Sequence, residues 1–299
     1  MVIGLETPEV QALGEALDAL RAWQDDAAPL QLHPGDVGWF WRFGAPATAA
    51  ALRTWRRDGR VVAVGLLDGP DLLRLAIVPD LLHDDELAHR LAEDATRPER
   101  GVLGPGGASV EAPVGALVDQ HLAAAGWHVD ERWALLRRDL ADPVEDPGVL
   151  VREVGPPEAA AWAETLRSSF GGLRAAPERW HALASGLPYA DARCLVVHGG
   201  ASDGETPDGG QRPAVAVIGV WSAGPGRPGL IEPMGVHADH RGRGLGRAVT
   251  LAGLAALRDL GASSALVATP ASNVGGVATY VSAGFEHLPT RHDRRRDDG

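Results

Sequence analysis

Apolar residues recur at positions 245, 248, 249, 252, 256 and 260, one face of a 3.6-residue period, so the chain predicts a helix from Leu245 to Leu260. Gly261 follows as a C-cap residue able to take left-handed backbone. Upstream the period changes. Arg193–His198 and Ala214–Trp221 are short β-type runs, and Gly199 to Gln211 between them (GGASDGETPDGGQ) holds almost nothing apolar. This reads as two strands joined by a long hairpin loop. Further strands are expected at Val149–Glu153, Leu230–Val236, Ala265–Thr269 and from Phe285. Helices are expected near Pro157–Phe170, near Pro177–Ser185 and just after Asn273. Strands alternating with helices predict the α/β class (α+β by some schemes), with a mixed central sheet flanked by helices.

The most Pro- and Asp-rich break lies at Asp139–Gly148, DLADPVEDPG, where two prolines deny backbone donors. It divides the chain into residues 1–146 and 147–299. The first part repeats the second weakly. Ile77-Val78-Pro79-Asp80 corresponds to Gly235-Val236-His237-Ala238, and Ser109–Pro113 to Leu266–Pro270. Ala125-Gly126-Trp127 corresponds to Ala283-Gly284-Phe285. The offset stays at 157 or 158 residues across all three, the signature of an internal duplication.

Composition narrows the chemistry. All 28 basic side chains are arginine, against 40 carboxylates, for a formal charge of −12. Without lysine there is no Walker-A loop, protein-kinase site or pyridoxal Schiff base. The acidic balance argues against nucleic acid as a partner. Cys194 is the lone cysteine, which excludes an intrachain disulfide and fits a reducing cytoplasm. The N-terminus has no signal-peptide pattern, and no apolar run approaches the roughly 18 residues that span a bilayer. No metal site is expected: His237 and His240 form a two-ligand pair on a turn without a third.

The informative segment is Ile231–Arg247, IEPMGVHADHRGRGLGR. A strand runs into Arg241-Gly242-Arg243-Gly244-Leu245-Gly246, and a helix starts at once. Glycines allow a tight turn and close approach of a ligand. The first helical N–H groups are unpaired and lie at the positive end of the dipole, a geometry that binds pyrophosphate. Arg241, Arg243 and Arg247 add positive charge there. The Rossmann glycine fingerprint does not fit, because Arg247 or Val249 falls where its last glycine would be.

The pattern R-x-x-G-x-G at a strand-to-helix turn resembles the acyl-CoA loop of the GNAT N-acetyltransferases. Glu232–His240 resembles the splayed strand that leads into that loop. NVGGVATYVSAGF, Asn273 to Phe285, resembles the family's second motif. The resemblance covers most of Val149–Leu288 and implies a tandem arrangement of two GNAT-like domains. It further implies that backbone amides of Arg241, Gly242, Arg243, Gly244, Leu245, Gly246 and Arg247 hold the pyrophosphate of acetyl-CoA. Met234 and Val236 would pair with its pantetheine arm, and Asn273 would contact it. Tyr280 would protonate the departing thiolate. Glu232, two residues before Met234 on the same strand face, is the candidate base for the amine, an acid–base pairing of the kind worth about 10²–10⁴ in rate.

By the offset, the first half has His83 for Arg241, Glu86 for Gly244, Ala88 for Gly246, Leu122 for Tyr280 and Arg74 for Glu232. A carboxylate near that helix start repels pyrophosphate, so residues 1–146 read as a degenerate GNAT-like domain without the acetyl-CoA loop. Trp221 is a candidate wall for the acceptor, Cys194 an inert strand residue, and RHDRRRDDG a solvated, charged end. The expected reaction is transfer of an acetyl group from acetyl-CoA to a primary amine, of a small molecule, by direct attack in a ternary complex. A non-catalytic acyl-CoA sensor and a protein or peptide N-acetyltransferase are the alternatives. The sequence leaves the acceptor and the oligomeric state open.

Overall fold

The computed structural model describes residues 2–171, 174–199 and 213–298. In chain order its first half has β1 (Ile3–Glu6), α1 (Leu13–Trp23), α2 (Pro34–Phe40), α3 (Ala45–Ala51), β2 (Leu52–Arg57) and β3 (Arg60–Leu67). It continues with β4 (Leu72–Ile77), α4 (Asp85–Thr96), β5 (Ala108–Glu111), α5 (Val118–Ala124) and β6 (His128–Asp139). The second half has β7 (Val151–Glu153), α6 (Ala159–Ser169), α7 (Pro177–Ala184), β8 (Ala192–His198), β9 (Ala214–Ser222) and β10 (Gly229–Val236). It ends with α8 (Leu245–Asp259), β11 (Ser264–Pro270), α9 (Val274–Ser282), β12 (Glu286–His287) and β13 (Arg291–Arg296).

The fold is α/β, as expected: one large mixed sheet flanked by helices. Its strand order among the described residues is β1-β2-β3-β4-β5-β13-β6-β11-β10-β9-β8-β7, with β12 against β6. Strand β9 is buried along its whole length. Its alternate residues explain why. Ile218 and Val220 pack with Val249 and Leu254 of α8, while Val217 and Trp221 pack with Trp162 and Leu166 of α6. A strand covered on both faces needs a continuous apolar run. Strands β8 and β9 pair antiparallel, as predicted, and the connecting residues 200–212 lie outside the described residues.

The repeat is visible in three dimensions. Strand pairs β4/β5 and β10/β11 are both parallel, each joined through a helix. Gly126 and Gly284 close the next helices with φ of 90° and 84°, values that favour glycine. Trp127 and Phe285 then plug the two cores. The last strands are exchanged: β6 pairs antiparallel with β11, and β13 pairs with β5 and β6. Each half thus completes the other's sheet.

That exchange overturns the solvated-tail expectation for the C-terminus. Residues 291–296 form a central strand, with Arg291 2% and Asp293 6% exposed. Central strands are usually apolar. Here the charges cancel locally: Arg291 lies 2.9 Å from Glu111 and 3.1 Å from Asp293, and Arg294 holds Asp119 at 2.7 Å. Backbone pairing on both edges does the rest.

Candidate active site between the two halves

Strands β10 and β11 pair only at Gly229–Leu230 with Ala265–Leu266. Beyond that, β10 breaks register against β9 between Ile231 and Met234, and the two parallel strands part. The wedge opens into a cleft of about 570 Å³. Glu232 and Met234 line it from β10, Asn273 and Tyr280 from the α9 side, and Asp36, Trp39 and Arg74 from the first half. Trp133 of β6 and Arg291 of β13, the exchanged strands, also line it. The structure therefore brings four of the sequence-predicted residues to one cavity. Val236 and residues 241–247 lie beyond its lining, where β10 runs out into the glycine loop.

Packing explains how the first half reaches this site. A Cβ on Gly35 would come within 2.5 Å of Trp221 Cβ, and one on Gly38 within 2.4 Å of Trp221 Cζ3. The two glycines let α2 lie directly on that indole. Trp221 is 1% exposed and donates from Nε1 to the Glu232 carbonyl at 2.6 Å. It is a buried anchor between α2 and β10 rather than a wall of the cleft, because both of its faces are covered. The result sets Asp36, on α2, beside Glu232, on β10.

One guanidinium organises the acids. Arg74 lies 2.8 Å from Asp36, 3.1 Å from Glu111, 3.5 Å from Asp68 and 3.9 Å from Glu232. Asp36 also accepts from the His33 backbone N–H at 2.6 Å. Burial pushes Asp36 upward, but Arg74 and these hydrogen bonds outweigh it and hold the carboxyl below its usual range. Glu232 goes the other way. Burial first, then the charge of Asp36 and a hydrogen bond to it, raise it well above the usual carboxylate range, with Arg74 opposing. Burial and the neighbouring Glu232 push the Tyr280 phenol up as well, which keeps it protonated. Its ring is fixed edge-on to Phe285 at 5.6 Å.

The loop after β10 has the expected backbone. Gly242 and Gly244 have φ of 74° and 77°, and Gly244 caps α8 without a side chain. The amides of Leu245, Gly246 and Arg247 thus start the helix with no side-chain cap. A Cβ on Gly246 would meet Thr279 Cγ2 at 2.9 Å and Val236 Cγ2 at 3.6 Å, so glycine lets α8 approach α9 and the end of β10. The arginines are tethered around the loop. Arg241 donates to the Ser169 carbonyl at 2.8 Å and Arg243 to the Asp239 carbonyl at 3.2 Å. Arg247 donates to the Ser282 carbonyl and pairs with Glu145. Asn273 caps α9 through Gly276 N–H and donates to Thr269.

Sequence reasoning missed Asp36, Asp68, Glu111 and Arg291 at this site. The available signal was the duplication: Arg74 is the repeat of Glu232, and a strand exchange places such repeats face to face. Cys194 is buried in β8, where burial pushes its thiol up to about 12, an inert state. Among the described residues no group of three or more His, Cys, Asp or Glu could hold a metal ion, and no helix is long and apolar enough to cross a membrane.

Residues 160–285, from α6 to just past α9, match the acetyltransferase (GNAT) family. This match falls within the second half of the chain. Curated relatives include mycothiol acetyltransferase of Rhodococcus opacus, 37% identical over 84 residues, which cover 28% of this chain and 23% of that protein. Mycothiol acetyltransferase of Cellulomonas flavigena is 47% identical over 57 residues, covering 19% and 16%. The chain therefore aligns with well under half the length of these relatives. Among solved structures, the tandem GNAT protein from the clavulanic acid biosynthesis pathway covers 100% of this chain and 99% of its own, with TM-score 0.60 and 20% identity. A GCN5-related N-acetyltransferase from Sphaerobacter thermophilus covers 98% and 95%, with TM-score 0.58 and 18% identity. The whole chain thus shares the fold of that tandem GNAT protein, with the family match falling on the half that carries the glycine loop.

Proposed function

We propose that the protein is an N-acetyltransferase that moves the acetyl group of acetyl-CoA to the primary amine of a small molecule, by direct attack in a ternary complex. The observation that carries this reading is continuity: strand β10 presents Glu232 to the cleft and leads, through the glycine loop of residues 237–244, to the start of α8, which has no side-chain cap. Acetyl-CoA fits that layout. The open helix start suits a diphosphate, and the free edge of β10 past Leu230 suits an extended amide-bearing arm. When bound, the thioester supplies an activated acetyl group. Amides of residues 241–247 hold the diphosphate, Met234 and Val236 offer strand backbone, and Asn273 lies along the path.

The chain's own residues then manage two protons. Glu232, in its carboxylate form, takes the proton from the acceptor nitrogen as the N–C bond forms. Tyr280 gives its proton to the sulfur as the C–S bond breaks. Burial and Glu232 raise the phenol, so it still carries the proton when the sulfur leaves. The cleft, about 570 Å³, is lined by residues of both halves, which supports a small-molecule acceptor over a protein. Buried, inert Cys194 fits work in a reducing cytoplasm. Release of free thiol from acetyl-CoA, followed across a panel of small amines with mass spectrometry of the product, tests the reading. Acetylated amine is expected. Saturable acetyl-CoA binding with no thiol release from any amine would overturn it in favour of a sensor.

A further inference from the structure

Asp36 and Glu232 are far apart in sequence, on different halves, yet their side chains meet in the cleft against the same guanidinium. Arg74 is 2.8 Å from Asp36 and 3.9 Å from Glu232. The surroundings of the pair are asymmetric. The Asp36 side chain is 2% exposed and fixed by the His33 N–H and by Arg74, whereas Glu232 keeps 26% exposure and faces the cavity. Two carboxyls gathered at the two Nη atoms of one guanidinium are costly to ionise together, which favours a proton on one of them. The asymmetry decides which side carries it.

We propose, resting on the acetyl-transfer reading, that Asp36 is a positioning residue supplied by the first half: its carboxylate holds the Glu232 carboxyl by a shared proton and so governs when Glu232 can take a proton from the acceptor amine. Asp36 acts through Glu232. The N-terminal half then contributes to the chemistry although its own helix start lacks the glycine loop.

The other charged groups around the pair do not supply this control. Arg74 faces both carboxyls and favours ionisation of each. Glu111 binds Arg74 at Nε, and Asp68 shares Arg74 Nη1 with Glu232, adding negative charge there but no hydrogen bond to Glu232. Arg42 stays cationic, with burial lowering it only to about 10. His33, the N-cap of α2, is buried and pushed down to about 4, so it is neutral in the working range. Tyr280 stays protonated. Asp36 is the neighbour that adds both a negative charge and a hydrogen bond at Glu232.

The sign follows. Glu232 works as a base only when deprotonated, so kcat/KM rises with pH through the Glu232 transition. Asp36→Asn keeps the shape, removes the like charge and offers an N–H to the carboxylate. It should move the rising limb to lower pH by about one to two units. Asp36→Glu should keep the limb near its wild-type position. A limb unmoved in Asp36→Asn would overturn the proposal. The same shift is readable without turnover, by ¹³C NMR titration of labelled glutamate carboxyls with the Glu232 signal assigned through Glu232→Gln. If no amine is acetylated, the functional reading falls, and this titration still decides the coupling: a Glu232 midpoint that drops in Asp36→Asn supports it, and an unchanged midpoint contradicts it.

Discussion

Helices α4 and α8 start at matching points of the repeat, each after a strand, β4 or β10, that ends in a short 3₁₀ turn. Their first turns are opposites. Helix α4 has Asp84 as N-cap, its carboxylate accepting from Leu87 N–H at 2.7 Å, with Asp85 and Glu86 behind it. Arg57 holds Asp84 at 2.6 Å. Helix α8 has Gly244 as N-cap, no acid in its first turn and no side chain on its amides. The strands differ in parallel. Strands β4 and β5 remain paired as far as Arg74 and Glu111, clasped by that ion pair at 3.1 Å, while β10 and β11 part after Leu230. One frame therefore makes a sealed corner and an open one, and the difference lies in a few side chains: an internal anion satisfies the first helix start, and the second has none.

Converting one corner into the other is the strongest way to break this contrast. Gly244→Asp gives α8 the acid of α4 and strains a left-handed position (φ 77°); acetyl-CoA binding is expected to vanish in calorimetry. Retained binding would mean that the diphosphate lies elsewhere. Next comes the clasp. Arg74→Met leaves buried Asp36 without its ion-pair partner and Glu111 with Arg291 alone, and loss of one partner from a buried ion pair costs about 3–5 kcal/mol. Chemical denaturation should show that loss; a change within 1 kcal/mol, roughly the worth of a surface pair, would show the cluster to be well solvated.

Two smaller effects sharpen the comparison. Tyr280→Phe, the repeat of Leu122, should lower kcat about 10²-fold with little change in acetyl-CoA affinity. An unchanged kcat removes Tyr280 from the proton transfer. Asp84→Ala should cost about 1 kcal/mol of stability, the usual worth of an N-cap, and leave acetyl-CoA affinity untouched. Hydrogen bonding to Arg57 first, then to Leu87 N–H, holds Asp84 at about 2 against burial. Its folded value is depressed, so its contribution is present above the ordinary carboxylate pKa of about 4 and fades as pH falls toward 2. Acid unfolding curves of wild type and Asp84→Ala should converge in that window.

Much of the second half was legible because its signals are local. The 3.6-residue period of 245–260, the glycines at 242, 244 and 246 and the β-type runs around 193–221 each act over one element. Tyr280 and Glu232 were reachable through motif spacing. What escaped depends on long-range pairing. The strand at 291–296 has the composition of a solvated tail and becomes central only because β5 and β6 offer it two edges. Trp221 was expected at the acceptor wall and is instead sealed by Gly35 and Gly38. Asp36, an unremarkable acid two residues after Pro34, gains its setting from the contact of α2 with β10.

The central claim is that the main-chain amides at the start of α8 grip the diphosphate of acetyl-CoA. Amide-resolved ¹H–¹⁵N NMR during titration with coenzyme A tests it most directly. The signals of Gly242, Gly244 and Gly246 should shift and saturate together, while those of Asp85 to Leu87 at the start of α4 stay in place. Shifts confined to the first half, or glycine signals unmoved at saturating ligand, would contradict the account.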